Sequence, residues 1–255
     1  MKHGVLESPL GQPAVRRVGR DRPAAWLYKG WQDLKANPLP SLAYGLLFGL
    51  CGDAMLLASV THPHLFTVAI SGFVIVAPVL SAGLYELSRQ REGGGKPAFI
   101  ESLPRLKEKA EPLAAFGLGV GLLAFFWERI SAVMFGVLGG TSGIETTHFI
   151  TQIVLSGNHR GFVAAWFIIG AILALLAFAV SVVSVPLMLD REVGPLTAVS
   201  TSLRAFSLNL ETLVLWAALI VALTLLGFVT LLFGLILFMP LLGHASWHAY
   251  RDMVV

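Results

Sequence analysis

The chain has 255 residues, of which 56% are hydrophobic and only 13% are charged, and its mean hydropathy is +0.76. Soluble domains carry about 25% charged residues, so this composition excludes a water-facing globule. The formal net charge is +3, and the charged residues cluster between long apolar runs, as in a membrane protein with several spans. Cys51 is the single cysteine, which excludes a disulfide framework and a zinc site of paired cysteines.

The apolar runs predict an all-α, polytopic membrane helix bundle. A spanning helix needs about 20 mainly apolar residues. Four spans are predicted at 39–60, at 65–87, from 113 to between 127 and 138, and at 162–189. The last apolar stretch, 210–250, would be about 60 Å long as one helix, so we divide it into two spans that turn near 227–233. The sequence therefore predicts six transmembrane helices.

The basic residues predict the orientation of these spans, because loops rich in Lys and Arg stay in the cytoplasm. Of the 18 Lys and Arg, only Arg129 and Arg160 fall on the side opposite the two termini. Both termini are therefore predicted to be cytoplasmic. The first apolar run begins too late and is too long for a cleaved signal peptide. Residues 1–22 are predicted to be a disordered cytoplasmic leader, and residues 23–255 a single transmembrane domain.

A threefold pattern recurs along the chain. Each cytoplasmic segment before an outward span carries apolar residues at i, i+4 and i+7, the spacing of one helical face. These are Leu27/Trp31/Leu34, Phe99/Leu103/Leu106 and Val199/Leu203/Phe206. Each returning span carries a helix-kinking proline, at Pro78, Pro186 and Pro240. We interpret this as three copies of an interfacial helix followed by a helix hairpin, although interfacial helices and prolines in spans are both common.

Two ionisable side chains fall deep inside predicted spans, where such a group costs about 2.5 to 3.5 kcal/mol. Asp53 and Arg129 lie at similar depths in spans one and three. They could form an intramembrane ion pair that holds two helices in register, or serve proton or ion movement. The third alternative is that Glu128 and Arg129 mark the outer interface while Asp53 faces water. Gly45 and Gly49 in span one allow close helix packing.

The histidines divide by side. Outer loops contain possible ligands for copper or zinc, although nothing in the sequence forces them together. They are His62, His64, Glu145, His148 and His159. On the inner side, His244 and His248 are i, i+4 neighbours. They could bind haem or a metal, but beside Trp247 and Tyr250 they are more typical of interfacial anchors at the headgroup level.

Catalytic motifs are missing from the sequence. The run Gly93 to Lys96 lacks the spacing and the Ser or Thr of a phosphate-binding loop, and neither a Gly-x-Ser-x-Gly elbow nor a His-Glu-x-x-His helix occurs. We therefore expect no enzymatic activity and no cofactor. The basic cytoplasmic face, with Trp26 and Trp31 among Arg and Lys, predicts contact with anionic inner-leaflet lipids rather than nucleic acid.

Several segments carry a resemblance to a known family. They are residues 31–38 leading into 42–45, the span exit 83–89, the segment 186–194 with Ser202 and Asn209, and the ending 240–251. From about Val18 to the C-terminus, the chain resembles an uncharacterised family of predicted bacterial integral membrane proteins, domain of unknown function 2189. The resemblance implies a proteobacterial inner-membrane protein, and it brings no activity, substrate or catalytic residue.

Two functions remain open. The absence of a charged path along any span and the glycine-rich helix faces favour a non-enzymatic accessory or scaffold subunit, which packs against a protein partner or a second copy of itself. The alternative is a transporter of small solutes or metal ions. Its polar site would lie near Asp53, Arg129 and the three prolines, whose kinks free backbone carbonyls.

Overall fold

Helices form nearly all of the chain that the computed structural model describes, which comprises residues 5–6, 13–61, 80–138, 160–230 and 233–255. In chain order the helices are α1 Arg22–Ala36, α2 Pro38–Thr61, α3 80–92, α4 Phe99–Glu108, α5 Ala110–Leu138, α6 Arg160–Ser181, α7 Ser184–Asp190, α8 Pro195–Leu208, α9 Leu210–Val229 and α10 Phe233–Met253. The strands β1 Val5–Leu6 and β2 Val15–Arg16 pair antiparallel. The predicted all-α class is confirmed for these residues.

A short helix precedes a long one three times, and a single residue separates the two each time. These residues are Asn37 between α1 and α2, Lys109 between α4 and α5, and Asn209 between α8 and α9. At Asn37 the cause is the next residue, Pro38, because proline disfavours helical backbone at the position before it. At Asn209 the side-chain Nδ2 donates to Ala205 O at 3.0 Å, which ends α8.

The last apolar stretch divides as the sequence predicts. Helix α9 ends at Val229 and α10 begins at Phe233, within the predicted turn at 227–233. The two helices pack on each other beside the turn, where a Cβ on Gly234 would lie 2.9 Å from Gly227 Cα. Glycine at both positions therefore lets the helices meet closely.

Helix α10 is the centre of the packing and has extensive contacts with α1, α2 and α9. The glycines explain how these helices approach. A Cβ on Gly30 would lie 2.7 Å from Ala245 N, and one on Gly45 would overlap Ile236 O. Gly45 also faces Pro240, which cannot donate a hydrogen bond to that carbonyl of Ile236. The small residues of α2 thus fit against the proline turn of α10.

Of the three prolines predicted to kink returning spans, Pro186 interrupts a helix. Pro186 lies in α7 and has no N–H for the carbonyl of Val182, and α6 ends just before, at Ser181. Ser202 of α8 satisfies the backbone groups that lose their helical partners at this break. Its Oγ accepts from Val183 N at 3.1 Å and donates to Ala179 O at 2.7 Å. Pro78 lies outside the described residues.

The leader differs from its prediction. Over residues 13–22 the expected disorder is wrong, because Val15 is fully buried and forms a bridge with Val254. The backbone N–H of Val18 donates to Asn209 Oδ1 at 2.7 Å. Arg16 and Arg22 both pair with Asp252. Hydrogen bonds and partly buried ion pairs to the C-terminal half of the chain therefore order this segment.

Three helical segments in the described part of the chain are long and apolar enough to cross a membrane. They are Ala110–Met134, Arg160–Asp190 and Leu210–Val229. They correspond to the predicted third, fourth and fifth spans. Most of the predicted second span lies outside the described residues.

Candidate functional site: the His244 network

A buried imidazole in the middle of α10 connects this helix to α2 and α3. His244 is 1% exposed. Its Nε2 lies 2.8 Å from Ser41 Oγ of α2, and its Nδ1 lies 2.7 Å from Ser88 Oγ of α3. Ser88 donates in turn to Asp33 Oδ2 of α1 at 2.6 Å. We call Asp33, Ser41, Ser88, Arg91, His244 and His248 the His244 network.

Counting hydrogens fixes the proton positions in this network. A hydroxyl has one hydrogen, and an ionised carboxylate only accepts. Ser88 donates its only hydrogen to Asp33, so its oxygen can only accept a hydrogen bond from His244. Nδ1 of His244 therefore carries a hydrogen. In the neutral ring Nε2 then accepts from Ser41. The direction of donation is therefore from Ser41 through His244 and Ser88 to Asp33.

Ser41 gives the network room for one more proton. Its Oγ lies 2.8 Å from Asn37 O as well as 2.8 Å from Nε2 of His244. When the imidazole is neutral, the hydroxyl donates to Nε2. When Nε2 is protonated, the hydroxyl accepts from it and donates to Asn37 O. The two ring nitrogens therefore keep their hydrogen bonds in both protonation states, and neither nitrogen is left buried without a partner.

Asp33 supplies the negative charge of the network. It is 5% exposed, Arg91 pairs with its Oδ1, and His248 Nε2 lies 2.9 Å from its Oδ2. Burial alone would raise the pKa of this carboxyl. Hydrogen bonds from His248 and Ser88, and the charges of the two histidines, outweigh burial and hold the pKa of Asp33 below its usual value. The carboxylate is therefore ionised at neutral pH.

The network resembles a catalytic Ser-His-Asp arrangement only in composition. Ser41 and His244 are 0% and 1% exposed, so a substrate in solution reaches neither the hydroxyl of Ser41 nor the ring of His244. Catalysis would require a reacting atom within about 3 Å of the nucleophile. Such a closed, fully paired set instead fixes the relative positions of α1, α2, α3 and α10.

Two further polar clusters lie beside the network. Asp252 accepts from Arg22 Nε at 2.6 Å and from the indole N–H of Trp26 at 3.0 Å. Tyr250 donates to Asp190 Oδ2 at 2.6 Å, which joins α10 to the end of α7. Together with the His244 network, these clusters form a layer that we call the polar layer.

The structure does not bring the predicted intramembrane pair together. Asp53 is exposed on α2, and Arg129 pairs with Glu128 of its own helix. The guanidinium of Arg129 also lies 5.6 Å from the ring centre of Phe125. The third alternative, in which Glu128 and Arg129 mark the outer interface and Asp53 faces water, stays a prediction.

The inner histidines are placed differently from the prediction. His244 is buried, so its expected role as a headgroup anchor is wrong; His248, with 18% of its side chain exposed, contacts Asp33 instead. His62, His64, Glu145, His148 and His159 lie outside the described residues. Within the residues that are described, no group of three or more His, Cys, Asp or Glu side chains is arranged to hold a metal.

Sequence reasoning missed Asp33, Ser41 and Ser88. One signal was present: Asp33 follows Trp26 and Gly30 at helical spacing, and these three form the buried side of α1. An acidic residue on a buried helix face requires a partner. The predicted apolar triplet of α1 was instead split, with Leu34 buried and Trp31 38% exposed.

Comparisons with known proteins give a family and nothing more specific. No curated protein and no solved structure matches the chain. The family model described as predicted integral membrane protein (DUF2189) matches residues 65–190, a shorter part of the chain than the resemblance from Val18 onward. Apolar helices α5 and α6 lie in this matched region. Over these residues, the chain matches the DUF2189 family of predicted integral membrane proteins.

Proposed function

We propose that this integral membrane protein is a non-enzymatic accessory or scaffold subunit of an assembly in the bacterial inner membrane. One observation carries the proposal: the three candidate spans bury only 17%, 28% and 22% of their most apolar windows inside the chain. The uncovered side chains are large and apolar, including Leu122, Ile172 and Val221, each more than half exposed. Such faces require hydrocarbon or another apolar helix.

The polar layer supports this proposal because it holds α1, α2, α3 and α10 in fixed positions relative to one another. Buried hydrogen bonds and ion pairs connect α1, α2, α3 and α10, and Asn209 joins the start of α9 to the leader. A scaffold needs surfaces held in a constant relative position. Fully satisfied buried networks specify such a packing.

The proposed orientation places both termini and α1 on the cytoplasmic side. Tyr28 and Trp31 are 64% and 38% exposed on α1, and Lys35 lies 5.1 Å from the ring centre of Trp31. Aromatic rings beside basic groups suit an interfacial helix on anionic inner-leaflet lipids. No nucleic acid is needed to explain these charges.

We also propose that six spans arise from three copies of one unit. The short helix, single-residue break and long helix recur at Asn37, Lys109 and Asn209. Repeats of this kind are a frequent way to build membrane folds. The unit would pair a short helix at the membrane surface with an outward span and a returning span.

A transporter is the competing proposal, and one observation favours it. The carboxylate of Asp53 is exposed on α2, an otherwise apolar helix. An ionisable group in that position is a functional-site hypothesis by default. A solute path beside α2 would use it.

Photo-cross-linking in cells tests the scaffold proposal. A photoreactive phenylalanine is placed at Leu122, Ile172 or Val221, with exposed Lys107 of α4 as the matched control. We expect a discrete protein adduct from at least one apolar position, shown by mass spectrometry to contain one partner or a second copy. Two results together would contradict the proposal. One is that no protein adduct forms at any of the three positions. The other is that proteoliposomes with wild-type protein show solute-dependent currents that proteoliposomes with Asp53→Asn lack.

A further inference from the structure

A narrow apolar groove lies between α5, α6 and α9. Its volume is about 530 Å³, within the range of sites that hold one small ligand. Its lining is almost entirely apolar. Representative lining residues are Val120, Trp127, Trp166, Gly170, Ala174 and Val221.

Small residues on α6 and two indoles shape this groove. Gly170, Ala174 and Ala177 line its α6 side. A Cβ on Gly170 would lie 2.9 Å from the Trp127 ring, so glycine lets that ring lie against α6. The rings of Trp127 and Trp166 are 5.3 Å apart, and Trp166 Nε1 donates to Ser131 Oγ at 3.0 Å.

The length of the groove suits one extended hydrocarbon chain. Its α6 side runs from Trp166 to Ala177, which is roughly 16 Å along the helix axis. An extended acyl chain is of this order of length.

Positive charge lies at one end of the groove. The hydrogen bond from Trp166 to Ser131 places Ser131 of α5 beside the first turns of α6. Arg160 is six residues before Trp166, roughly 9 Å along the axis of α6, and lies about two turns before Phe167, which lines the groove. Glu128 pairs with Arg129, whereas exposed Arg160 has no ionic partner among the described residues.

We propose that the groove holds one acyl chain of a bilayer phospholipid with an anionic headgroup, which contacts Arg160. The charge at one end and the hydrocarbon-lined body match the two parts of such a lipid. The bilayer supplies the molecule, and its headgroup lies at the membrane surface where an arginine attracts it. This site goes beyond the scaffold proposal and does not depend on a protein partner.

Native mass spectrometry of the full chain in mild detergent tests the site, with phosphatidylglycerol and phosphatidylcholine as probes. Wild type is expected to retain one phosphatidylglycerol in preference to phosphatidylcholine. Gly170→Val should lose both lipids, because the new side chain enters the groove. Gly161→Val is the matched control on the same helix, since a Cβ there meets nothing within 4 Å, and it should behave like wild type.

Arg160→Gln separates the headgroup from the chain. It leaves the groove intact, so it should still bind lipid but lose about fivefold in its preference for phosphatidylglycerol. Equal lipid retention by Gly170→Val and Gly161→Val would overturn the proposal, as would an unchanged preference in Arg160→Gln.

A measurement on the wild-type chain does not depend on how the variants fold. Phosphatidylglycerol with a photoreactive group at the end of its acyl chain should cross-link to peptides of α5 or α6 that line the groove. Cross-links only elsewhere, or a photoreactive residue at Ala174 that captures a protein instead of lipid, would show that the groove holds no lipid chain.

Discussion

The polar layer and the three candidate spans are stabilised in opposite ways. In the polar layer, Asp33, Ser41, Ser88 and His244 are all at least 95% buried and all hydrogen-bonded. In the candidate spans, no more than 28% of the most apolar window is buried inside the chain. Among the described residues, the indole N–H of Trp216 is the one buried side-chain polar atom without a partner.

This difference shows which residues determine how the helices pack. A buried polar group is costly unless paired, so the polar layer admits few alternative packings. Lipid tails are as apolar as leucine, and hydrophobicity alone therefore does not position one span against another. The polar layer sets the positions of the helices, and the spans supply outward surfaces.

The largest expected effect comes from Asp33. Asp33→Asn leaves Arg91 and His248 without their carboxylate and should cost about 3 kcal/mol or more at pH 7. The control is Asp21→Asn, because Asp21 is exposed and makes no capping hydrogen bond. Thermal unfolding in detergent micelles measures both, and equal melting temperatures would contradict a structural role for the network.

The same variant has a pH dependence of known sign. Since the pKa of Asp33 is lowered in the folded protein, its contribution is present above the unfolded pKa of about 3.9 and is lost as pH falls through the folded pKa. The stability gap between wild type and Asp33→Asn should therefore be full at neutral pH and shrink below about pH 4. A gap that widens in acid would be inconsistent with a lowered pKa.

A smaller effect is expected at the contact between α2 and α10. Gly45→Val would push a side chain into Ile236 O and should destabilise the protein by about 1 to 3 kcal/mol. Gly119→Val on α5 is the control, because a Cβ there meets nothing within 4 Å. In mixed micelles, the free energy of unfolding of Gly45→Val should be well below that of Gly119→Val. The reverse order would show that α2 does not pack on α10 as described.

The smallest effect is expected between Asp53 and Arg129. Because they do not pair, the unfolding free energies of Asp53→Asn and Arg129→Gln should add in the double variant to within about 0.5 kcal/mol. A double-mutant cycle measures this coupling. Coupling of several kcal/mol would restore the intramembrane ion pair that the sequence first suggested.

The sequence predicts the helices of this chain well because hydrophobic periodicity and proline placement are local signals. The turn between α9 and α10 and the position of Pro38 illustrate this. The His244 network was not predictable in the same way, since Asp33, Ser88 and His244 are far apart in the chain and meet only through tertiary packing. The relation between Asp53 and Arg129 was open for a related reason: equal depth in two spans does not establish that the spans are neighbours.

Spin-label accessibility at matched exposed positions tests the central contrast most directly. In a Cys51→Ser background, single cysteines are placed at Lys107 and Leu122, and at Ser207 and Val221, so that each pair spans one helix break and all four sites are exposed. In lipid bilayers, we expect labels at Lys107 and Ser207 to meet a water-soluble nickel complex, whereas those at Leu122 and Val221 should meet dissolved oxygen, which concentrates in hydrocarbon. Nickel access at Leu122 and Val221 equal to that at Lys107 and Ser207 would contradict this expectation.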